Sequence, residues 1–207
     1  MSCYKKKIIK LKKYRTASIY RETNETKIRV YINLDGKGNL NTNCGIEFLE
    51  HMLDQLTNNG QIDITIKTKV YTPIDNHHTV EDIGIAIGKA FQKALGNKIG
   101  IKRYGFAYIP MDESLSRVVI DFSGRPSLYM NNLNYKNLVK FDIQNFREFF
   151  QAWVNNSKST LHIDNLKGYN SHHQIESIFK AFGVAIRMAI SLDGRIKNKL
   201  YSTKGSL

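Results

Sequence analysis

Two stretches of this chain share one pattern. "DNHHTVED" (75–82) and "NSHHQIES" (170–177) both contain His-His-x-x-Glu. Their first histidines, residues 77 and 172, stand 95 positions apart in a chain of 207. A repeat at nearly half the chain length constrains the fold strongly, because one supersecondary unit must be built twice. The flanking residues agree. "KIRVYINL" (27–34) alternates apolar and polar residues as a strand does, and "DGKG" (35–38) is its turn. "GIEFLEHMLDQLTNNG" (45–60) places Phe48, Leu49, Met52, Leu53 and Leu56 at helical spacing and stops at Gly60. "QIDITIKTKV" (61–70) is a second strand. The histidines then open a helix striped by Val80, Ile83, Ile87, Phe91 and Leu95, with Gly96 suited to its C-terminal cap.

The second half repeats this order. "SLSRVVIDF" (114–122) is a strand and "SGRP" (123–126) a turn. "DIQNFREFFQAWVNNS" (142–157) is an amphipathic helix carrying Phe146, Phe149, Phe150 and Trp153. "STLHIDNL" (159–166) is a strand, and "HHQIESIFKAFGVAIRMAI" a helix. No Pro/Gly/Ser-rich linker separates the halves, and the one break is "GNKIG" (96–100). The expected fold is α+β, with two tandem pseudo-equivalent halves around one shared core.

Both motifs fall where a loop becomes a helix. Glu81 shares a face with His77 at a spacing of four or with His78 at three. Neighbouring helical residues point about 100° apart, so two adjacent histidines do not readily chelate one ion. Two such motifs suit two metal centres that draw ligands from different elements or different subunits. His51 precedes His77 by 26 residues, and Glu148 precedes His172 by 24, at the matching place in the equivalent helix. Both are further candidate ligands. Mixed imidazole and carboxylate donors fit Mn²⁺, Fe²⁺, Co²⁺ or Zn²⁺. Cys3 and Cys44 form no CxxC pair, which argues against a structural zinc site and a disulfide framework. His162, within a strand, is read as structural.

Net charge is +13, which suits a phosphorylated substrate as well as nucleic acid or an acidic surface. A nucleic-acid-binding role would leave the paired motifs unexplained, and neither an RNP-like aromatic strand nor a GXXG clamp is present. A metal-dependent phosphoester hydrolase is a further alternative. No apolar run approaches a membrane span of about 18 residues. The lysine-rich segment 1–14 lacks the apolar stretch of a secretory signal, so a cytoplasmic location is expected.

The stretches "CGIEFLEHMLDQL", "DNHHTVEDIGIAIGKA", "YIPMDESLSRVVIDFSGRP", "GYNSHHQIESIFKAFGVAIR" and "STKGSL" closely resemble the imidazoleglycerol-phosphate dehydratases of histidine biosynthesis. The resemblance runs from about Arg15 to Leu207. It implies a single domain over 15–207, made of repeats at about 15–97 and 98–192 and a phosphate-binding tail at 193–207. It also implies a helical bundle sandwiched between two mostly antiparallel four-stranded sheets. By this resemblance the metal ligands are His51, His77, His78, Glu81, Glu148, His172, His173 and Glu176, with two Mn²⁺ sites per subunit. They would be shared between chains of a homo-oligomer of about two dozen subunits. No nucleic-acid or membrane partner is implied.

The family reaction removes water from D-erythro-imidazole-glycerol phosphate to give imidazole-acetol phosphate. The resemblance implies that metal holds the ring as imidazolate and that a glutamate moves the carbon-bound proton. Glu25, in "RETNET", matches that acid/base, with Glu81 and Glu176 at the metals. Arg103, Arg125, Lys180, Ser202 and Lys204 match substrate contacts, and an arginine fork suits phosphate. Asn59 stands in the substrate-contacting stretch where the family usually has histidine. Glu148 stands where many members have histidine, Glu50 replaces a usual Asp beside His51, and Asn76 replaces one before His77.

Overall fold

A computed structural model describes residues 15–71, 75–131, 142, 144–196 and 198–207; the basic segment 1–14 lies outside them. The first half runs β1 (Thr16–Glu22), β2 (Thr26–Asn33), β3 (Leu40–Asn43), α1 (Glu47–Gly60), β4 (Asp63–Val70) and α2 (His77–Leu95). The second runs β5 (Tyr104–Met111), β6 (Ser114–Asp121), β7 (Ser127–Asn131), α3 (Gln144–Ser157), β8 (Thr160–Lys167) and α4 (Ser171–Ile190). The sheets have the orders β1-β2-β4-β3 and β5-β6-β8-β7, so one topology occurs twice. In each, two pairings are antiparallel, and the last edge strand lies parallel to its neighbour.

The strands legible as alternation are the inner ones, β2, β4, β6 and β8. Ile28, Val30 and Ile32 of β2 are buried, while Arg29 and Tyr31 face outward. The edge strand β5 inverts the usual pattern. Its exposed positions hold Tyr104, Phe106 and Tyr108, and its buried ones hold only Gly105 and Ala107. The reason is close packing: the α4 backbone at Ala185 and Ala189 occupies the space a side chain at 105 would need.

The helices pair across the halves, α1 on α4 and α2 on α3, while α2 also covers β1 and β2 and α4 covers β5 and β6. The two halves therefore share one hydrophobic core. Trp153 of α3 packs its ring 5.4 Å from Phe91 of α2 and 4.9 Å from Phe182 of α4. Both crossings are tight. A methyl group on Gly88 would sit 2.6 Å from the Trp153 carbonyl oxygen, and one on Gly183 would sit 2.7 Å from that of Leu56. These two glycines are 95 residues apart, the same offset as the histidines. Gly88→Ala is expected to destabilise the fold by about 1–3 kcal/mol through backbone displacement. A urea midpoint shift of the metal-free protein measures this.

Among the described residues, no helix is long and apolar enough to cross a membrane.

Candidate metal centre and active site

The loops entering α2 and α4 fix the histidines before any longer-range contact does. The Asn170 carboxamide oxygen accepts from the backbone N–H groups of His172 (2.9 Å) and His173 (3.4 Å). The Asp75 carboxylate accepts from the N–H of His77 at 2.9 Å. In both helices the motif glutamate then pairs with the first histidine, four residues back. His172 Nε2 lies 3.1 Å from Glu176 Oε2, and His77 Nε2 lies 4.0 Å from Glu81 Oε2. The second histidines turn elsewhere. His78 Nδ1 meets Glu25 Oε2 at 3.2 Å, and His173 Nδ1 meets Glu113 Oε2 at 2.7 Å.

The α1–α4 crossing adds a third donor to the α4 pair. His51 Nε2 lies 3.5 Å from Glu176 Oε2, and the ligand atoms of His51, His172 and Glu176 all lie within 4.8 Å of one another. Glu176 is buried, which pushes its pKa up. Lys180 Nζ, 2.8 Å from the other carboxylate oxygen, and then His51 outweigh that effect and hold the group below its ordinary range. An ionised carboxylate oxygen thus faces two imidazoles whose rings remain partly open to solvent. This N₂O donor set without thiolate fits a divalent first-row ion such as Mn²⁺. The Phe48 ring, 5.1 Å from that of His172, forms an apolar wall beside it.

Glu148 occupies in α3 the place of His51 in α1. Among the described residues, His51, His172 and Glu176 form the one group of three convergent donors. Within one chain, Glu148, His78 and His173 are not drawn into it. His77 lines a cleft of about 380 Å³ with Asp75, Asn76, Asp142 and Asn145. His162 is exposed on β8 and stacks on Tyr129 at 4.5 Å, consistent with a structural role.

The cationic residues gather at a different end. Arg103 grips Asp121 with two bonds (2.7 and 3.0 Å) and donates from Nη1 to the Tyr201 carbonyl at 2.8 Å. This ties down the tail, where Ser202 Oγ accepts from the Lys204 N–H at 3.2 Å. The Leu207 backbone closes on Gly124, next to Arg125. Arg103, Ser202 and their neighbours line a cleft of about 400 Å³. Arg103 also bonds the Ala189 carbonyl near the C-terminus of α4, whereas Glu176 lies in its second turn. At 1.5 Å per residue, Glu176 and Ala189 are about 20 Å apart. Asn59 lies two turns beyond His51 in α1, and its amide donates to the Gln55 carbonyl at 2.8 Å.

Glu113 was not singled out by the sequence reading. The signal was available: Glu25 and Glu113 directly precede Thr26 and Ser114, the first residues of β2 and β6.

Comparison with known proteins follows the same lines. The imidazoleglycerol-phosphate dehydratase family model matches residues 44–186. The chain is 55% identical over 194 residues to the imidazoleglycerol-phosphate dehydratase of Chromohalobacter salexigens, covering 93% of this chain and 98% of that protein. The crystal structure of the Staphylococcus aureus enzyme superposes with a TM-score of 0.77 at 38% identity, covering 86% of this chain and 99% of that one. That of the Pyrococcus furiosus enzyme gives 0.78 at 32% identity, covering 91% and 100%. A repeated α+β fold, three convergent metal-type donors and near-complete overlap with these relatives together establish that this chain belongs to the imidazoleglycerol-phosphate dehydratases, the hydro-lyases of histidine biosynthesis.

Proposed function

We propose that the chain dehydrates D-erythro-imidazole-glycerol phosphate in the cytoplasm, using two Mn²⁺ ions per subunit at sites completed between chains of a large homo-oligomer. The convergence of His51, His172 and Glu176 carries the metal part of this reading. The gap along α4 carries the shared-site part. An imidazole, three carbons and a phosphate do not span about 20 Å, so one chain's cationic tail does not serve its own metal centre. Arg103, Arg125, Ser202 and Lys204 of one chain then hold the phosphate of a substrate whose ring lies at another chain's histidines. His77, Glu81 and Glu148, with His78 and His173, supply the second centre in the same manner.

Bound manganese supplies Lewis-acid and template chemistry that favours the substrate ring as imidazolate. Glu25 takes the carbon-bound proton as hydroxide leaves the neighbouring carbon, and the resulting enol becomes the ketone. Two observations support this role: its carboxylate is 42% exposed, and it touches His78, one of the proposed ligands. Glu176 and Glu81 act as carboxylate ligands, and Lys180 keeps Glu176 ionised while presenting a cation beside the centre. Shared ligands make the ions part of the assembly. Chelation is therefore expected to shrink the particle, and added Mn²⁺ to restore it. Light scattering that gave one large size with and without chelator would contradict shared interfacial sites.

A further inference from the structure

The two glutamate–histidine contacts are one feature built twice. Glu25 and Glu113 are 88 residues apart, as are Thr26 and Ser114, the strand residues that follow them. In each half that strand residue bonds the residue just after the motif glutamate. Thr26 Oγ1 donates to Asp82 Oδ2 at 2.5 Å, and Ser114 Oγ and Ser177 Oγ lie 3.2 Å apart. Each strand start is thereby pinned to the first turns of its histidine helix. In both halves a glutamate oxygen then faces Nδ1 of the second histidine.

The copies differ in what else the glutamate does. Among the described residues, the Glu25 carboxylate has His78 as its partner and is 42% exposed. Glu113 is 20% exposed and fully engaged. Its Oε2 meets His173 Nδ1 at 2.7 Å, while Oε1 accepts from the backbone N–H groups of Asn170 (2.9 Å) and Tyr169 (3.3 Å). Asn170 is the cap that in turn holds the His172 and His173 N–H groups. Asp112 Oδ2, 3.8 Å from His173 Nε2, is 72% exposed on its turn.

We infer that Glu113 is a positioning residue for the metal site: it fixes His173 as the Nδ1–H tautomer, so that Nε2 is the ligating atom, and locks the capping loop that aims both histidines. The hydrogen bond at one imidazole nitrogen decides which nitrogen can bind metal. Glu25, at the matching place in the other half, has no such second contact for its carboxylate among the described residues. This inference rests on the manganese reading above.

The test is Mn²⁺ binding to metal-stripped protein, followed by the electron paramagnetic resonance signal of the free ion, for the unaltered chain, Glu113→Gln and Glu25→Gln. Glutamine has one acceptor oxygen where Glu113 uses two, so either the imidazole or the loop loses its acceptor. Glu113→Gln is expected to weaken Mn²⁺ binding by about 10–100-fold, with unchanged circular dichroism. Glu25→Gln can turn its amide N–H₂ to solvent and is expected to bind as the unaltered chain does. Unchanged Mn²⁺ affinity in a folded Glu113→Gln overturns the positioning role. Should that variant fail to fold, Glu113→Asp, which keeps both oxygens on a shorter stem, gives the same readout. An unaltered chain that takes up no Mn²⁺ overturns the metal reading itself, and with it this inference.

Discussion

Glu25→Gln is expected to lower turnover of imidazoleglycerol phosphate by about a thousandfold, while Mn²⁺ occupancy and particle size stay those of the unaltered chain. The magnitude is that of one general acid/base removed from an otherwise intact site. The glutamine fills the same space, and its oxygen still accepts from His78 Nδ1, so the histidine keeps its orientation. What is lost is the ability to hold and return a proton at the substrate carbon. Steady-state kinetics beside elemental analysis of the same sample checks both halves of the expectation. A loss of turnover matched by a loss of metal would instead make Glu25 a support for His78.

His172→Ala is expected to have a comparable effect by another route. It removes one of the three convergent donors but leaves the Glu176–Lys180 pair, so the buried carboxylate keeps its cation. One of two manganese centres is expected to empty. The loss of Lewis acidity, of the order of 4 kcal/mol in the transition state, corresponds to about a thousandfold in rate. Metal content and sizing separate the two variants: Glu25→Gln is expected to change neither, and His172→Ala to change both.

The repeat, the four helices and the inner strands were legible because each is amphipathic with a clear period. The edge strands were not. β1 (Thr16–Glu22) buries only Ala17 fully, and β3 (Leu40–Asn43) buries none of its residues, so alternation had little contrast to show. β5 carried the wrong contrast, with aromatics outward, because the α4 backbone excludes inward side chains beyond Gly105 and Ala107. The pairing of α1 with α4 and α2 with α3 is a tertiary choice that no local period encodes. Its trace in the sequence is the pair Gly88 and Gly183.

The site was legible in a similar proportion. The helical spacing predicted that each motif glutamate would meet a histidine and left open which one; the structure pairs Glu81 and Glu176 with the first. His51 emerged from its place in the repeated order of elements, and α1–α4 packing brings it within reach of Glu176. Glu113 escaped because a glutamate before a strand has no period of its own. Only superposing the halves through Thr26 and Ser114 reveals it. The separation of the cationic tail from the metal centre was likewise hidden, since Arg103 and Glu176 meet opposite ends of one helix.

The most direct measurement is turnover of imidazoleglycerol phosphate by the metal-stripped protein, with and without added Mn²⁺, following both imidazole-acetol phosphate and inorganic phosphate. The expected result is imidazole-acetol phosphate only when metal is present, with the phosphate ester intact. Dehydration at full rate without metal, or release of inorganic phosphate in place of the ketone, contradicts a manganese-dependent dehydratase built on these histidines.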